Sequence, residues 1–136
     1  MDGLLEALAE ASSPSWVRRA QAGNTLAPFA FAGVPEAAKA LGSLLLDVED
    51  TAVTRQTAEA LARAGTVASV RVLARAVAGA SVSHGDWMLA GVHDALAGRA
   101  GVPNLLALCE RLVQDPEAVV RRGAAEILEW AQSTGG

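Results

Sequence analysis

Apolar residues return along this chain at helical spacing, most regularly between Val48 and Ala78. Val53, Thr57, Ala60, Leu61 and Ala64 fall at i, i+4, i+7, i+8 and i+11, which lays them along one face of a 3.6-residue helix. Asp50 or Thr51 is placed to cap that helix, and Gly65 to end it in the left-handed conformation. Thr66 then caps a second helix, whose stripe is Val67, Val70, Leu73, Ala74 and Val77. Neither helix can bury its apolar face alone, so the pair needs neighbours on both sides.

Weaker copies of this pattern flank it. Asp2 to Ala11 reads as a short helix with Leu4, Leu5 and Leu8 inward. Ser13 as N-cap and Pro14 in the first helical position then open a helix carrying Trp16, Ala22 and Leu26. Pro28 kinks or ends it, Gly33 breaks the chain, and Pro35 starts a helix to about Leu46 with Ala38, Leu41 and Leu45 inward. After the central pair, Gly79–Asp86 reads as an irregular polar loop, in which Ser83 and Asp86 have capping-box spacing. Trp87 to about Arg99 is the next helix, stopped by Gly101; Pro103 opens another with Leu105, Leu108 and Leu112 inward. Asp115-Pro116 starts the last, through Val120, Ala124, Ile127, Leu128 and Ala131, and the Ser-Thr-Gly-Gly end frays. No segment alternates as a strand does, so the fold class is all-α.

Overlaying the first helix of each pair reveals a repeat. Val53/Thr57/Ala60/Leu61 returns as Met88/Val92/Ala95/Leu96 and as Val120/Ala124/Ile127/Leu128, a period of roughly 32 to 35 residues that suits helical solenoids. The second helices agree, Val70/Leu73/Val77 matching Leu105/Leu108/Leu112. In the first repeat Arg18 takes the leading apolar position, ahead of Ala22 and Leu26.

On these residues the chain resembles HEAT-repeat proteins. Val120-Arg121, Ala124, Leu128 and the preceding Asp115-Pro116 match the family's pattern directly, and Val53, Arg55, Leu61 and Gly65 match it loosely. Tetratricopeptide and ankyrin patterns fit worse: the chain has no tyrosine and no Thr-Pro-Leu-His. The resemblance implies a single domain over 1–136, an α-α superhelix (solenoid) of about three helical hairpins plus flanking terminal helices. The approximate repeats are 13–47, 48–80 and 81–114, with 1–12 and 115–133 as terminal helices. The start at Met1 and the frayed end favour a complete chain.

Composition narrows the function. The formal net charge of −4 gives no general affinity for nucleic-acid backbone. Ten of the eleven basic residues are arginine, as GC-rich bacterial-type coding also gives. Cys109, the one cysteine, reads as a small core residue and suits a reducing cytosol. No signal peptide and no apolar run long enough to span a membrane is present, so the expected location is cytoplasmic.

Solenoids recognise partners along their stacked second helices, so the resemblance implies a scaffold, adaptor or regulator for another protein or peptide. The outward positions there are Lys39 and Ser43, then Arg71 and Arg75, then Leu106 and Glu110. They read as a mildly basic stripe for an acidic or mixed helix, although ordinary solvated surface has the same composition. Trp16, Trp87 and Trp130 suit core or inter-repeat packing, Trp87 beside the Gly79–Asp86 loop being the one best placed for a partner. Arg18-Arg19 and Arg121-Arg122 resemble the family's helix-A arginines, which bridge to acids of a neighbouring repeat, here Asp47, Asp50 or Asp115.

His84, Asp86, His93 and Asp94 lack the spacing of a zinc site, so no metal and no cofactor is expected. No nucleophile elbow, phosphate-binding glycine motif or nucleophile beside a histidine is present, which argues against an enzyme. Two alternatives remain: a HEAT-like DNA-binding or base-excision protein, for which Lys39, Arg71 and Arg75 form a short ladder, and a structural homodimer. The expected state is a monomer or weak homodimer.

Overall fold

The structure, a computed structural model, describes residues 3–30, 34–98 and 104–135. Its regular elements are α1 Leu4–Glu10, α2 Trp16–Leu26, a 3-10 turn at Ala27–Phe29, α3 Pro35–Leu45, α4 Thr51–Ala64, α5 Val67–Gly79, α6 Val82–Ala97, α7 Leu105–Leu112 and α8 Ala118–Gly135. Asp2, Gly33, Arg99, Gly101 and Pro103, read above as helix ends and punctuation, lie outside the described residues.

Capping chemistry fixes the central pair as its sequence predicts. Asp50 Oδ1 accepts from the Ala52 N–H at 2.9 Å and opens α4. Gly65, at φ 61°, closes it where a side chain would be strained. Thr66 and Ser69 cap α5 reciprocally, each hydroxyl accepting from the other's backbone N–H. Pro28 ends α2 through the 3-10 turn.

Two starts are displaced. The cap of α2 is Ser15, two residues beyond Ser13, whose hydroxyl instead accepts from the Ser15 N–H. Gly79–Asp86 is not a loop: only Ala80 and Ser81 separate α5 from α6. Ser81 takes the cap role assigned to Ser83, accepting from the His84 N–H at 3.2 Å. Starting there adds helical hydrogen bonds across Val82–Asp86 and brings His84 to within reach of Asp47.

The inward faces follow the stripes with local shifts. α1 buries Leu4 and Ala7 and leaves Leu5 82% exposed; α3 buries Ala37 and Leu44 beside Leu41 and Leu45, with Ala38 only half-buried. In α4 the buried set Val53, Thr57 and Leu61 widens to include Thr54, Ala58 and Ala62, while Ala60 and Ala64 are half-buried. The reason is that α4 is covered on two sides, by α2 and by α6. Cys109 is fully buried, as its spacing predicts, and burial pushes its thiol up to about 11.

Most helices touch their chain neighbours or the next but one. The exception is α8, which packs far more extensively on α5 than on α6 or α7. The closest crossings run through glycines. A Cβ at Gly23 of α2 would meet Thr57 Oγ1 at 2.5 Å; one at Gly91 of α6 would overlap the Arg55 carbonyl of α4, and one at Gly123 of α8 the Ala74 carbonyl of α5. At these points helix backbone lies against helix, and no side chain fits between.

Gly123→Ala should therefore lower stability by about 1–3 kcal/mol through overpacking. Gly42, inside α3 with open space where its Cβ would be, gives the opposite sign: Gly42→Ala should add about 0.5–1 kcal/mol. Urea unfolding of the two variants beside the wild type reads both.

Candidate docking groove

Two arginines are committed to holding helices together. Arg19 of α2 is buried and meets Asp47, just beyond α3, with two nitrogens: Nε to Oδ1 at 2.9 Å and Nη2 to Oδ2 at 3.3 Å. Its Nη1 donates to the Ser13 carbonyl. Asp47 Oδ2 also accepts from the backbone N–H groups of Glu49 and Asp50, at 3.1 and 2.7 Å. The Asp47 carbonyl lies 2.9 Å from His84 Nε2, and since a carbonyl only accepts, Nε2 carries its hydrogen there. Arg55 of α4 grips Asp94 of α6 in the same two-point way, at 2.6 and 2.9 Å, with its guanidinium 6.0 Å from the centre of the Trp87 ring.

Of the expected bridges, Arg19 to Asp47 forms. Asp50 serves the α4 cap instead, and Arg121 reaches the main-chain carbonyls of Asp115 and Pro116 rather than a carboxylate. Trp130 packs against the core, half-buried, whereas Trp16 is 43% exposed.

Between α3 and α5 lies an open groove of about 560 Å³. Its floor and walls are short or apolar: Pro35, Ala38, Gly42 and Leu46 on the α3 side, Val72 and Ala76 on the α5 side. Lys39 and Arg75 stand among them. A smaller hollow of about 230 Å³ shares Pro35, Ala38, Val72 and Arg75, and adds Ala30, Ala68 and Arg71. Among the described residues three cations and no carboxylate line the two hollows, on a chain whose net charge is −4.

The structure thus brings together Lys39, Arg71 and Arg75 of the expected stripe, with Ser43 beside them. Leu106 and Glu110 are exposed on α7 and do not line the groove, and neither does Trp87 under Arg55. Spacing alone misses two features. One is the small-residue walls, Ala38-Gly42 facing Val72-Ala76, each pair four apart; that signal was available in the sequence. The other is the pair of acids that meet the α5 arginines: Arg71 Nη2 donates to Asp115 Oδ1 at 2.5 Å, and Arg75 Nη2 to Glu117 Oε1 at 2.7 Å. Nothing local in the chain announces those contacts.

A third hollow, of about 380 Å³, is bounded by Asn24, Arg55, Glu59, Arg63 and Asp94. Its charges answer one another, Arg55 with Asp94 and Arg63 with Glu59, so it offers a ligand no free cation or anion. Among the described residues no group of three or more His, Cys, Asp or Glu side chains converges as metal ligands, and no helix is long and apolar enough to cross a membrane.

No protein-family model matches the chain, and neither a curated protein nor a solved structure does.

The hydrogen bond from Arg55 holds the Asp94 carboxyl below its usual range; the Glu117 N–H, and then Arg71, do the same for Asp115. Both groups titrate lower in the folded chain than near about 3.9 in the unfolded one. Their stabilisation is complete above that value and lost as pH falls through the folded pKa. Urea midpoints measured against pH should therefore drop below about pH 4, and Asp94→Asn should flatten part of that fall.

Proposed function

We propose that this chain is a non-enzymatic protein-binding module, an adaptor or regulator built as a short HEAT-like solenoid that seats a segment of its partner between α3 and α5. The observation that carries this reading is the groove itself: a floor of short or apolar residues with Lys39 and Arg75 on its walls, Arg71 in the adjoining hollow, and no carboxylate among the described lining residues. The solenoid reading is supported by α4 lying between α2 and α6, and by α3 and α5 packing side by side, as stacked first and second helices do. The stack is uneven at α8, which leans on α5 rather than on α6.

Gly42 offers a plug that leaves the core untouched, because nothing lies within 4 Å of the position its Cβ would take. Lys39 makes no ion pair among the described residues, so its charge can be reversed without breaking one. With the purified chain as bait in cell extract, a stoichiometric partner held by the wild type should be lost by both Gly42→Trp and Lys39→Glu, neither melting below the wild type. A partner kept by both variants removes the groove from the function.

The structural homodimer keeps one supporting observation, the solvent-facing Leu5, Val48 and Val82. Sedimentation over a concentration series is expected to give the monomer mass; a mass that doubles with concentration favours the dimer.

A further inference from the structure

Among the described residues, four arginines pair with carboxylates outside their own helix, and they do so in two distinct ways. Arg19 and Arg55 each meet a carboxylate with two nitrogens, in a fixed planar fork. Arg71 and Arg75 each offer only one, and the side chains of both Arg75 and Glu117 are 55% exposed. Single-point ion pairs open to water exchange readily with solvent and with other anions. Asp115 is additionally fixed by accepting the Glu117 N–H at the start of α8. The Glu117 carboxylate has no bond besides Arg75 among the described residues.

We infer that the groove takes an acidic segment of a partner protein whose carboxylates bind Lys39 and Arg75, and that Glu117 is an internal competitor which the segment must displace from Arg75. This rests on the groove reading proposed above. Charge complementarity selects the occupant: among the described residues Lys39 on one wall has no anion to meet, Arg75 on the other meets a displaceable one, and no carboxylate in the lining repels an acidic chain. Leu46, at one end of the groove, supplies an apolar contact, so the fitting segment carries an apolar residue beside its acids. A basic or nucleic-acid-like occupant is disfavoured in different ways: the first by the cations, the second because three cations on one short groove make too small a phosphate-binding track.

The test uses a fluorescent helical peptide with a leucine face and glutamate pairs one turn apart, titrated by anisotropy into the full chain. Glu117→Gln should tighten binding by about two- to fivefold, the range expected from releasing one exposed ion pair. That gain should vanish in the Arg75→Gln background, and the same peptide with Gln for Glu should not bind. An unchanged or weaker affinity for Glu117→Gln, while Gly42→Trp still abolishes wild-type binding, overturns the competition and leaves the groove reading standing. Binding that Gly42→Trp does not weaken, or no binding by any form, overturns both.

Discussion

An arginine withdrawn from water must have its charge and its N–H groups answered, and Asp47 answers Arg19. One carboxylate takes two guanidinium nitrogens from α2 and two backbone N–H groups from the approach to α4, and the carbonyl of the same residue receives His84 from α6. Elements far apart in sequence meet at the turn after α3. The position of α4, and of everything stacked on it, depends on that turn. Around it the small side chains act permissively: Ala58, Gly23 and Gly91 let α2 and α6 close on α4 from either side, so that polar knot and close packing specify the same geometry.

The displacement of α8 onto α5 has an electrostatic result. It carries Asp115 and Glu117 to the outer face of α5, where Arg71 and Arg75 stand one turn apart. The Gly123–Ala74 crossing anchors this placement, since contact between two backbones tolerates no side chain and little sliding. The helix thereby partly neutralises the wall of the groove. A helix stacked squarely on α6 would leave that wall with its full charge.

The helices were legible because their signals are local. Asp50, Gly65, Thr66, Pro28 and Pro35 act within a turn of where they stand, and the structure uses each as the chain implies. Ser13 and Ser83 misled because a competing serine stood two residues away, and the choice between them is made by the helix as a whole. Thr54 shows a different limit: it is fully buried, although one stripe per helix leaves it outside, because α4 has two covered faces. Its hydroxyl and that of Thr57 find no hydrogen-bond partner among the described residues, so no polar contact marks Thr54 as inward. For the groove, Lys39, Arg71 and Arg75 were readable as outward positions on adjacent second helices. Leu106, Glu110 and Trp87 were not excluded by any local rule; what separates them from the groove is where α8 and Arg55 lie.

Lys39 is the one lysine in a chain whose other cations are arginines, and it stands on the groove wall. The protein therefore presents a single side-chain amine. Any chemistry directed at side-chain amines, whether an acyl transferase, a ubiquitin ligase or a laboratory cross-linker, has one target in this sequence, and that target borders the groove. A covalent mark placed there removes a groove charge and narrows the opening at once, and a dye attached there reports from inside.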